Sequence, residues 1–259
     1  MPQAANQRFD LNDRVVIITG GGKGIGKVYA KEFARAGARV VAADIDGLAA
    51  EVVARDIADQ GGAALALATD IADVNSAEAM AAAALARFGS IDVLVNNASL
   101  MSVLPRRSWL EIPVEEWDRV MAVNLRGMFL CCRAVFPAMR AKGRGKVVNI
   151  SSSRVWDGTP NRPHYTTSKA GVIGFTRALA REVAEFGITV NAVTPGMTLS
   201  ETQVASSSAN YLATRVGGRA IERAQVPEDL VGAVMFLASP ASDFMTGQTI
   251  NVDGGKAMH

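Results

Sequence analysis

The chain has 259 residues, of which 49% are hydrophobic and 20% are charged, and its formal net charge at pH 7 is +2. The composition excludes a disordered or fibrous chain, and the length is sufficient for a large core without disulfides or a structural metal. The small net charge excludes a strong electrostatic footprint for nucleic acid. The two cysteines, Cys131 and Cys132, are adjacent, so they close no loop.

The N-terminal segment, Met1 to Asp10, is polar and lacks the apolar core of a signal peptide. A membrane-spanning helix needs ~20 consecutive apolar residues, and the sequence contains no such run. We therefore expect a soluble, cytoplasmic protein without a membrane partner.

Seven short strand-like runs alternate with longer helical stretches along the chain. The predicted strands are 15–18, 39–43, 63–68, 91–95, 146–150, 188–193 and 248–252. This alternation predicts an α/β fold with a doubly wound, parallel seven-stranded sheet and helices on both faces. No linker or repeat divides the chain, so residues 1–259 are predicted to form one domain. The stretch 198–218 has no clear periodicity and is the candidate substrate lid.

A glycine-rich segment, Thr19-Gly20-Gly21-Gly22-Lys23-Gly24-Ile25-Gly26, follows the first strand and opens the first helix. Glycines permit a tight turn and let backbone N–H groups approach a pyrophosphate at the positive end of the helix. Taken alone, the motif fits a dinucleotide site and an ordinary glycine turn equally well.

Asp44 ends the second predicted strand, near the distance of about 20 residues at which dinucleotide-binding units place an acid on the adenosine ribose. A carboxylate there accepts a hydrogen bond from the 2′-OH and repels a 2′-phosphate. Lys23 opposes that preference because a cation can bind a 2′-phosphate, whereas Asp46 adds negative charge. We predict NAD as the cofactor, with NADP as the alternative.

Tyr165 and Lys169 lie one helical turn apart, on the same face of a predicted helix. A phenol with its ordinary pKa near ~10 is a poor acid or base at neutral pH, and a nearby ammonium favours the phenolate. Such a tyrosine can exchange a proton with an alcohol or a ketone. Ser151, Ser152 and Ser153 end the fifth strand, at the sheet edge where open α/β folds bind ligands, and the pattern alone does not select one of them.

Together, these motifs resemble the short-chain dehydrogenase/reductase family, whose members have a single-domain Rossmann fold, and the resemblance covers residues 12–255. The family's active serine lies 13 residues before the tyrosine, which selects Ser152. Asn124, in Asn-Leu-Arg-Gly, resembles the asparagine that breaks a helix and helps to hold a water beside the lysine. The resemblance therefore implies four catalytic residues, Asn124, Ser152, Tyr165 and Lys169.

The resemblance also implies where the cofactor lies. Asp70 would meet the adenine amino group with Ile71 packed nearby, and Asn97 ends the fourth strand at the switch point of the sheet. Thr198 and Ser200 match positions that bind the carboxamide. The predicted cofactor residues are Gly20, Lys23, Gly24, Ile25, Gly26, Asp44, Asp70, Ile71, Asn97, Tyr165, Lys169, Pro195, Gly196, Thr198 and Ser200.

Two positions depart from the family pattern. Ser99 replaces the glycine of Asn-Asn-Ala-Gly, and Ser200 replaces a more common threonine, but neither change removes a catalytic group. The histidines, His164 and His259, do not form a metal-binding motif, so no metal is predicted.

The implied activity is hydride transfer between a nicotinamide cofactor and a secondary alcohol or ketone. We expect a small apolar or aromatic substrate, because the chain from Ser200 to Phe236 is similar to 1-phenylethanol dehydrogenase-like members. Arg154 could instead recognise a carboxylate or a polar substrate. The predicted pocket residues are Arg154, Trp156, Met197 and Tyr211.

An alternative is NADPH-dependent reduction of 3-oxoacyl groups on an acyl carrier protein, which is acidic and needs basic residues near the site. A basic run before the fifth strand could bind the carrier protein, or it could be the solvated end of a helix. It consists of Arg140, Lys142, Arg144 and Lys146. A non-catalytic, cofactor-binding regulator is the third possibility, and the complete catalytic set argues against it. The resemblance also implies a homotetramer.

Overall fold

The computed structural model describes residues 8–205 and 218–258. Its centre is a parallel seven-stranded sheet with strand order β3-β2-β1-β4-β5-β6-β7. The strands are Val15–Thr19 (β1), Arg39–Asp44 (β2), Ala63–Ala68 (β3), Val93–Asn96 (β4), Gly145–Ile150 (β5), Ile188–Pro195 (β6) and Thr249–Val252 (β7). All seven predicted strands are confirmed, including the alanine-rich β3.

Helices cover both faces of the sheet. They are Gly24–Arg35 (α1), Gly47–Asp59 (α2), Val74–Phe88 (α3), Val114–Met121 (α4), Met128–Lys142 (α5), Arg154–Asp157 (α6), Pro163–Val183 (α7), Glu201–Ala205 (α8) and Glu228–Ala238 (α9). Along β1, Val16 and Ile18 join the core with α1, α2 and α9, whereas Val15 and Ile17 join the core with α3, α5 and α7. Both faces of this strand are buried, which explains its uninterrupted apolar sequence.

A π-helical turn, Ala122–Gly127, joins α4 and α5 into one continuous helix, Val114–Lys142. By length and mean composition this helix is apolar enough to cross a membrane, although it contains no uninterrupted run of ~20 apolar residues. The expectation from the sequence rested only on uninterrupted apolar residues. Polar residues interrupt this helix, although its mean hydropathy is high. Cys131, Val135 and Met139 are buried in the core beneath the sheet, and a core helix of a folded domain passes the same test.

The strand order reverses beside β1, which lies between β2 and β4. In open α/β sheets the crevice at such a switch point, outside the carboxyl ends of the strands, is where ligands bind. The loops after β1, β4 and β5 therefore face one common space.

Candidate active site

A cleft of about 600 Å³ runs along the carboxyl ends of the strands. The predicted site residues that line it are Gly20, Lys23, Gly24, Ile25, Asp44, Asp70, Ile71, Asn97, Ser152, Arg154, Tyr165, Lys169, Pro195, Gly196, Met197, Thr198 and Ser200. Gly26, Asn124 and Trp156 are absent from its wall, and Tyr211, with the lid segment 206–217, lies outside the described residues. No cluster of three potential metal-ligating side chains is found in residues 8–205 and 218–258.

The glycine loop is fixed from the end of β4. Asn97 donates through Nδ2 to the carbonyls of Thr19, at 3.0 Å, and Gly20, at 3.2 Å. Gly26 has a steric role: a Cβ there would lie 2.0 Å from the Gly20 carbonyl oxygen, so any side chain would force α1 away from the loop. Gly26 therefore shapes the loop without lining the cleft, and its contact with the cofactor stays a prediction.

The first turn of α1 binds a carboxylate from this chain. Glu201 accepts a hydrogen bond from the Gly24 amide at 3.2 Å, and its other oxygen lies 3.1 Å from Lys27 Nζ. The bond from the Gly24 amide holds the pKa of Glu201 below its ordinary value. The sequence predicted an anion site at this helix end, but not that Glu201, 177 residues away, would reach it.

Asp44 is only 9% exposed and supports the same loop. Its carboxylate accepts from the amides of Gly22, at 2.9 Å, and Asp46, at 3.0 Å. Lys23 Nζ lies 2.5 Å from the Asp46 carboxylate, and that hydrogen bond raises the pKa of Lys23 and lowers that of Asp46. Lys23, the cation that could bind the 2′-phosphate of NADP, is therefore paired with Asp46.

Ser152, Tyr165 and Lys169 meet in the middle of the cleft, and all three are buried. Ser152 ends β5, while α7 carries Tyr165 and Lys169 on one face. Lys169 Nζ donates to the Ile150 carbonyl at 2.8 Å and lies 5.8 Å from the centroid of the Tyr165 ring. Burial lowers the pKa of Lys169 to about 7.

The pKa of Tyr165 lies above its ordinary value, because burial disfavours the phenolate. A hydrogen bond with Ser152 and the positive charges of Arg154 and Arg162 oppose that effect without cancelling it. The two guanidinium groups were not foreseen as partners of the tyrosine. Arg162 directly precedes α7 and is close to Tyr165 in the chain, whereas Arg154 lies on α6 and is brought close by the loop between the two helices.

Asn124 lies in the π-helical turn and is buried behind the cleft. Its side chain accepts from the Leu100 amide at 2.7 Å and donates to Ser168 Oγ at 3.2 Å. Ser168 directly precedes Lys169, so Asn124 links the loop after β4 to the helix that carries the lysine. Its interaction with a water remains a prediction.

At the substrate end, Arg154 and Met197 line the wall as predicted, together with Leu100 and Met101. Trp156 lies on the short helix α6, where its Nε1 donates to Thr194 Oγ1 on β6 at 3.4 Å, and its contact with a substrate stays a prediction. Sequence reasoning missed three further charged lining residues, of which Arg119 lies on α4 and the other two lie near Arg154. Those two are Asp157 and Lys256.

The basic run before β5 has partners within the protein. Lys142 Nζ lies 2.6 Å from Asp92, Lys146 Nζ lies 2.7 Å from Asp243, and the Arg140 guanidinium lies 4.7 Å from the centroid of the Phe186 ring. Arg140, Lys142 and Arg144 precede β5 and Lys146 lies at its amino end, whereas Ser152 follows the strand, so the run and the serine lie at opposite ends of β5.

The family model adh_short_C2, described as Enoyl-(Acyl carrier protein) reductase, matches residues 20–257. The chain is 39% identical to the probable galactose dehydrogenase GalD of Rhizobium meliloti (strain 1021), over 98% of this chain and 99% of that protein.

Two solved structures are also similar. One is a 3-ketoacyl-(acyl-carrier-protein) reductase from Brucella melitensis complexed with NADH, with a TM-score of 0.89 and 34% identity over 96% of this chain and 100% of that chain. The other is a putative NAD(P)-dependent gluconate 5-dehydrogenase from Beutenbergia cavernae with bound NADP at low occupancy. Its TM-score is 0.88, with 38% identity over 96% of this chain and 98% of that chain. With this fold and these relatives, the chain is an oxidoreductase that belongs to the short-chain dehydrogenase/reductase family, whose fold binds NAD or NADP.

Proposed function

We propose that this protein interconverts a secondary alcohol and a ketone, with NAD as its cofactor and Tyr165 as the group that exchanges the proton. The observation that carries the proposal is that Ser152, Tyr165 and Lys169 line one cleft with the glycine loop and Asp44. A set of acid/base and oxygen-binding groups beside a dinucleotide-type loop is suited to redox chemistry at a carbinol carbon.

The residues present fit a nicotinamide dinucleotide. The glycine loop leaves room for a ligand at the start of α1, and Asp44 stands at the end of β2 for the adenosine ribose. At Gly196 a Cβ would lie 2.7 Å from Gln225 Oε1 and 2.8 Å from the Asp253 Cβ, so a side chain there would displace the backbone that forms this part of the wall. When bound, the cofactor supplies or accepts the hydride.

The preference for NAD is supported by the charges beside that ribose position. Asp44 would repel a 2′-phosphate, and the pairing of Lys23 with Asp46 weakens the cation that would attract one. Relatives do not decide the matter, because the two similar structures hold NADH and NADP respectively.

In the proposed mechanism Ser152 donates a hydrogen bond to the substrate oxygen as charge changes there. Tyr165 gives its proton to that oxygen during ketone reduction and takes the proton back during alcohol oxidation. Arg154 and Arg162 favour the phenolate form. Lys169, whose pKa is about 7, can return a proton towards Tyr165 near neutral pH.

A small apolar or aromatic substrate body is supported by Leu100, Met101, Val123 and Met197, which supply apolar surface to the cleft wall. The second candidate, reduction of a carrier-bound 3-oxoacyl group with NADPH, is supported by the similarity to the Brucella reductase. It is disfavoured by the position of the basic run at the opposite end of β5 from Ser152.

The proposal is tested by titrating the protein with NADH and NADPH while cofactor fluorescence is followed, and then by adding a panel of ketones. We expect NADH to bind more tightly and to be oxidised by at least one ketone. Tight NADH binding without turnover of any ketone or alcohol would instead indicate a cofactor-binding regulator. Turnover confined to acyl-carrier thioesters with NADPH would support the second candidate.

A further inference from the structure

We propose that the substrate carries a carboxylate, which Arg154 and Lys256 recognise at the end of the cleft beside Ser152. This inference rests on the proposed alcohol–ketone chemistry, because it names the substrate class of the same site. It adds a charged group to the apolar substrate body proposed above.

Arg154 lies next to the reacting position. Its backbone N–H donates to Ser152 Oγ at 3.3 Å, and its side chain, 9% exposed, lines the cleft. Nη2 donates to the carbonyls of Thr159, at 2.6 Å, and Pro160, at 3.0 Å, so the plane of the guanidinium is held by the loop after α6. A guanidinium held in this way presents a fixed positive charge, with which a carboxylate can form a charge-assisted hydrogen bond.

Lys256 reaches the same wall from the C-terminal turn. Asp253 is 2% exposed, and its carboxylate accepts from the amides of Gly255, Lys256 and Ala257 at 3.0–3.1 Å. This buried carboxylate fixes the turn and thereby the position of Lys256, whose side chain is 22% exposed. The backbone position of Lys256 in the cleft wall is therefore fixed by the protein itself.

Asp157 joins the two cations into one cluster. Lys256 Nζ lies 3.6 Å from its Oδ2, while Oδ1 accepts from the Thr159 amide and hydroxyl at 2.8 and 2.6 Å. Burial acts to raise the pKa of Asp157, but the hydrogen bonds from Thr159 and the charges of Lys256 and Arg154 bring it below its ordinary value. These three described side chains bring two positive charges and one negative charge to the cleft.

A substrate carboxylate bound here would lie close to both cations at a partly buried position, where the attraction between opposite charges is stronger than in water. The part of the cleft beside the glycine loop is more acidic, because Asp44, Asp46 and Asp70 line it and its one described cation, Lys23, is paired with Asp46. The charge distribution therefore directs an anionic substrate to the end of the cleft that holds Ser152 and Tyr165.

The test compares keto acids with their methyl esters. We would measure kcat/KM with NADH for levulinate and 3-benzoylpropionate and for the methyl ester of each. We expect the acids to exceed the esters at least tenfold. In Lys256→Met and in Arg154→Met that acid-to-ester ratio should fall at least tenfold, and Arg154→Lys should give an intermediate ratio.

The matched control is Arg55→Met, which removes an exposed cation from α2 and should leave the ratio unchanged. Lys256→Met keeps the inference testable if loss of the Arg154 bonds to Thr159 and Pro160 unfolds that loop. Added salt should lower kcat/KM for the acids more than for the esters.

Calorimetric titration of the NADH-bound protein with the same acids and esters separates this inference from the proposed function. Preferential acid binding that depends on Lys256 but gives no turnover would sustain the inference and refute the proposed reaction. Turnover of the esters without any preference for the acids would support the proposed reaction and refute the inference. If no acid binds or reacts, or if both variants affect acid and ester equally, the inference is wrong.

Discussion

At the scale of single residues, the chemistry depends on how burial and neighbouring charges act on Tyr165. Burial makes its phenol harder to ionise, whereas Ser152 and two guanidinium groups act in the opposite direction. A bound oxidised nicotinamide adds another positive charge beside the ring. We therefore propose that the low apparent pKa expected of a catalytic tyrosine appears in the complex with the cofactor.

Tyr165→Phe removes the proposed proton-exchanging group and keeps the ring. We expect ketone reduction and alcohol oxidation to fall by ~10²–10⁴-fold, with little change in the Kd for NADH. The measurement is kcat on the best substrate together with a fluorescence titration of NADH.

Tyr29→Phe is the matched control for that loss. The Tyr29 hydroxyl is buried and has no hydrogen-bond partner within residues 8–205 and 218–258, so its removal should leave kcat unchanged. If Tyr165→Phe retains most of the wild-type activity, the proposed mechanism is wrong.

Cofactor choice is the second property that depends on a single residue. We expect kcat/KM to be at least tenfold higher with NADH than with NADPH, a difference of about 1.4 kcal/mol. Asp44→Asn keeps an acceptor for the Gly22 amide but removes the charge, so the NADH-to-NADPH ratio should fall.

Asp59→Asn, which neutralises an exposed carboxylate at the end of α2, should leave that ratio unchanged. Equal kcat/KM values for the two cofactors in the wild type would show that Lys23 outweighs Asp44. The comparison requires steady-state kinetics at one fixed salt concentration, because the 2′-phosphate contacts are charged.

At the scale of elements, His164 joins α7 to α4 immediately beside the catalytic tyrosine. Its ring is 1% exposed, stacks on Trp117 and lies 3.2 Å from the Glu116 carboxylate, which also binds Arg107. Burial lowers the pKa of His164, Arg162 and Arg107 act in the same direction, and Glu116 opposes them. The folded protein therefore binds this proton less tightly than the unfolded chain does.

This difference predicts a pH-dependent stability. The stabilisation is complete above the ordinary histidine pKa of ~6.5 and is lost as the pH falls below it, because protonation then favours the unfolded chain. His164→Gln cannot take up the proton, so its free energy of unfolding should decline less between pH 7.5 and pH 5 than that of the wild type. Urea unfolding at several pH values measures this, and parallel declines would contradict the assignment.

At the scale of the whole molecule, apolar side chains remain exposed on the helices beside the cleft. Phe129 on α5 is 43% exposed and contacts Phe175 on α7 edge-to-face, with ring centroids 6.2 Å apart. Trp117 on α4 is 37% exposed. A helix that is apolar on more than one side needs a second surface, so we propose that this face lies in the interface of a homotetramer.

Light scattering at micromolar concentration should therefore give a mass above that of the monomer. Phe129→Glu places a charge on this face and should shift the mass towards smaller species. Val52→Glu changes a side chain that is 52% exposed on α2 and should leave the mass unchanged. A monomeric wild type would contradict the proposal.

The sequence by itself determined the seven strands, the glycine loop at α1 and the pairing of Tyr165 with Lys169. Each of these depends on residues close together in the chain, where periodicity and spacing follow directly from backbone geometry. The choice of Ser152 came from the family resemblance, because three adjacent serines satisfy the same local pattern.

The tertiary structure alone decided which charges from distant parts of the chain meet. Lys256 pairs with Asp157, and Glu201 binds the Gly24 amide. Lys142 pairs with Asp92, whereas the sequence had suggested that its partner was solvent or a carrier protein. These partners are separated by 50 to 177 residues, so no local pattern reports them. Packing of the whole sheet sets such distances, and with them the charge that a substrate meets.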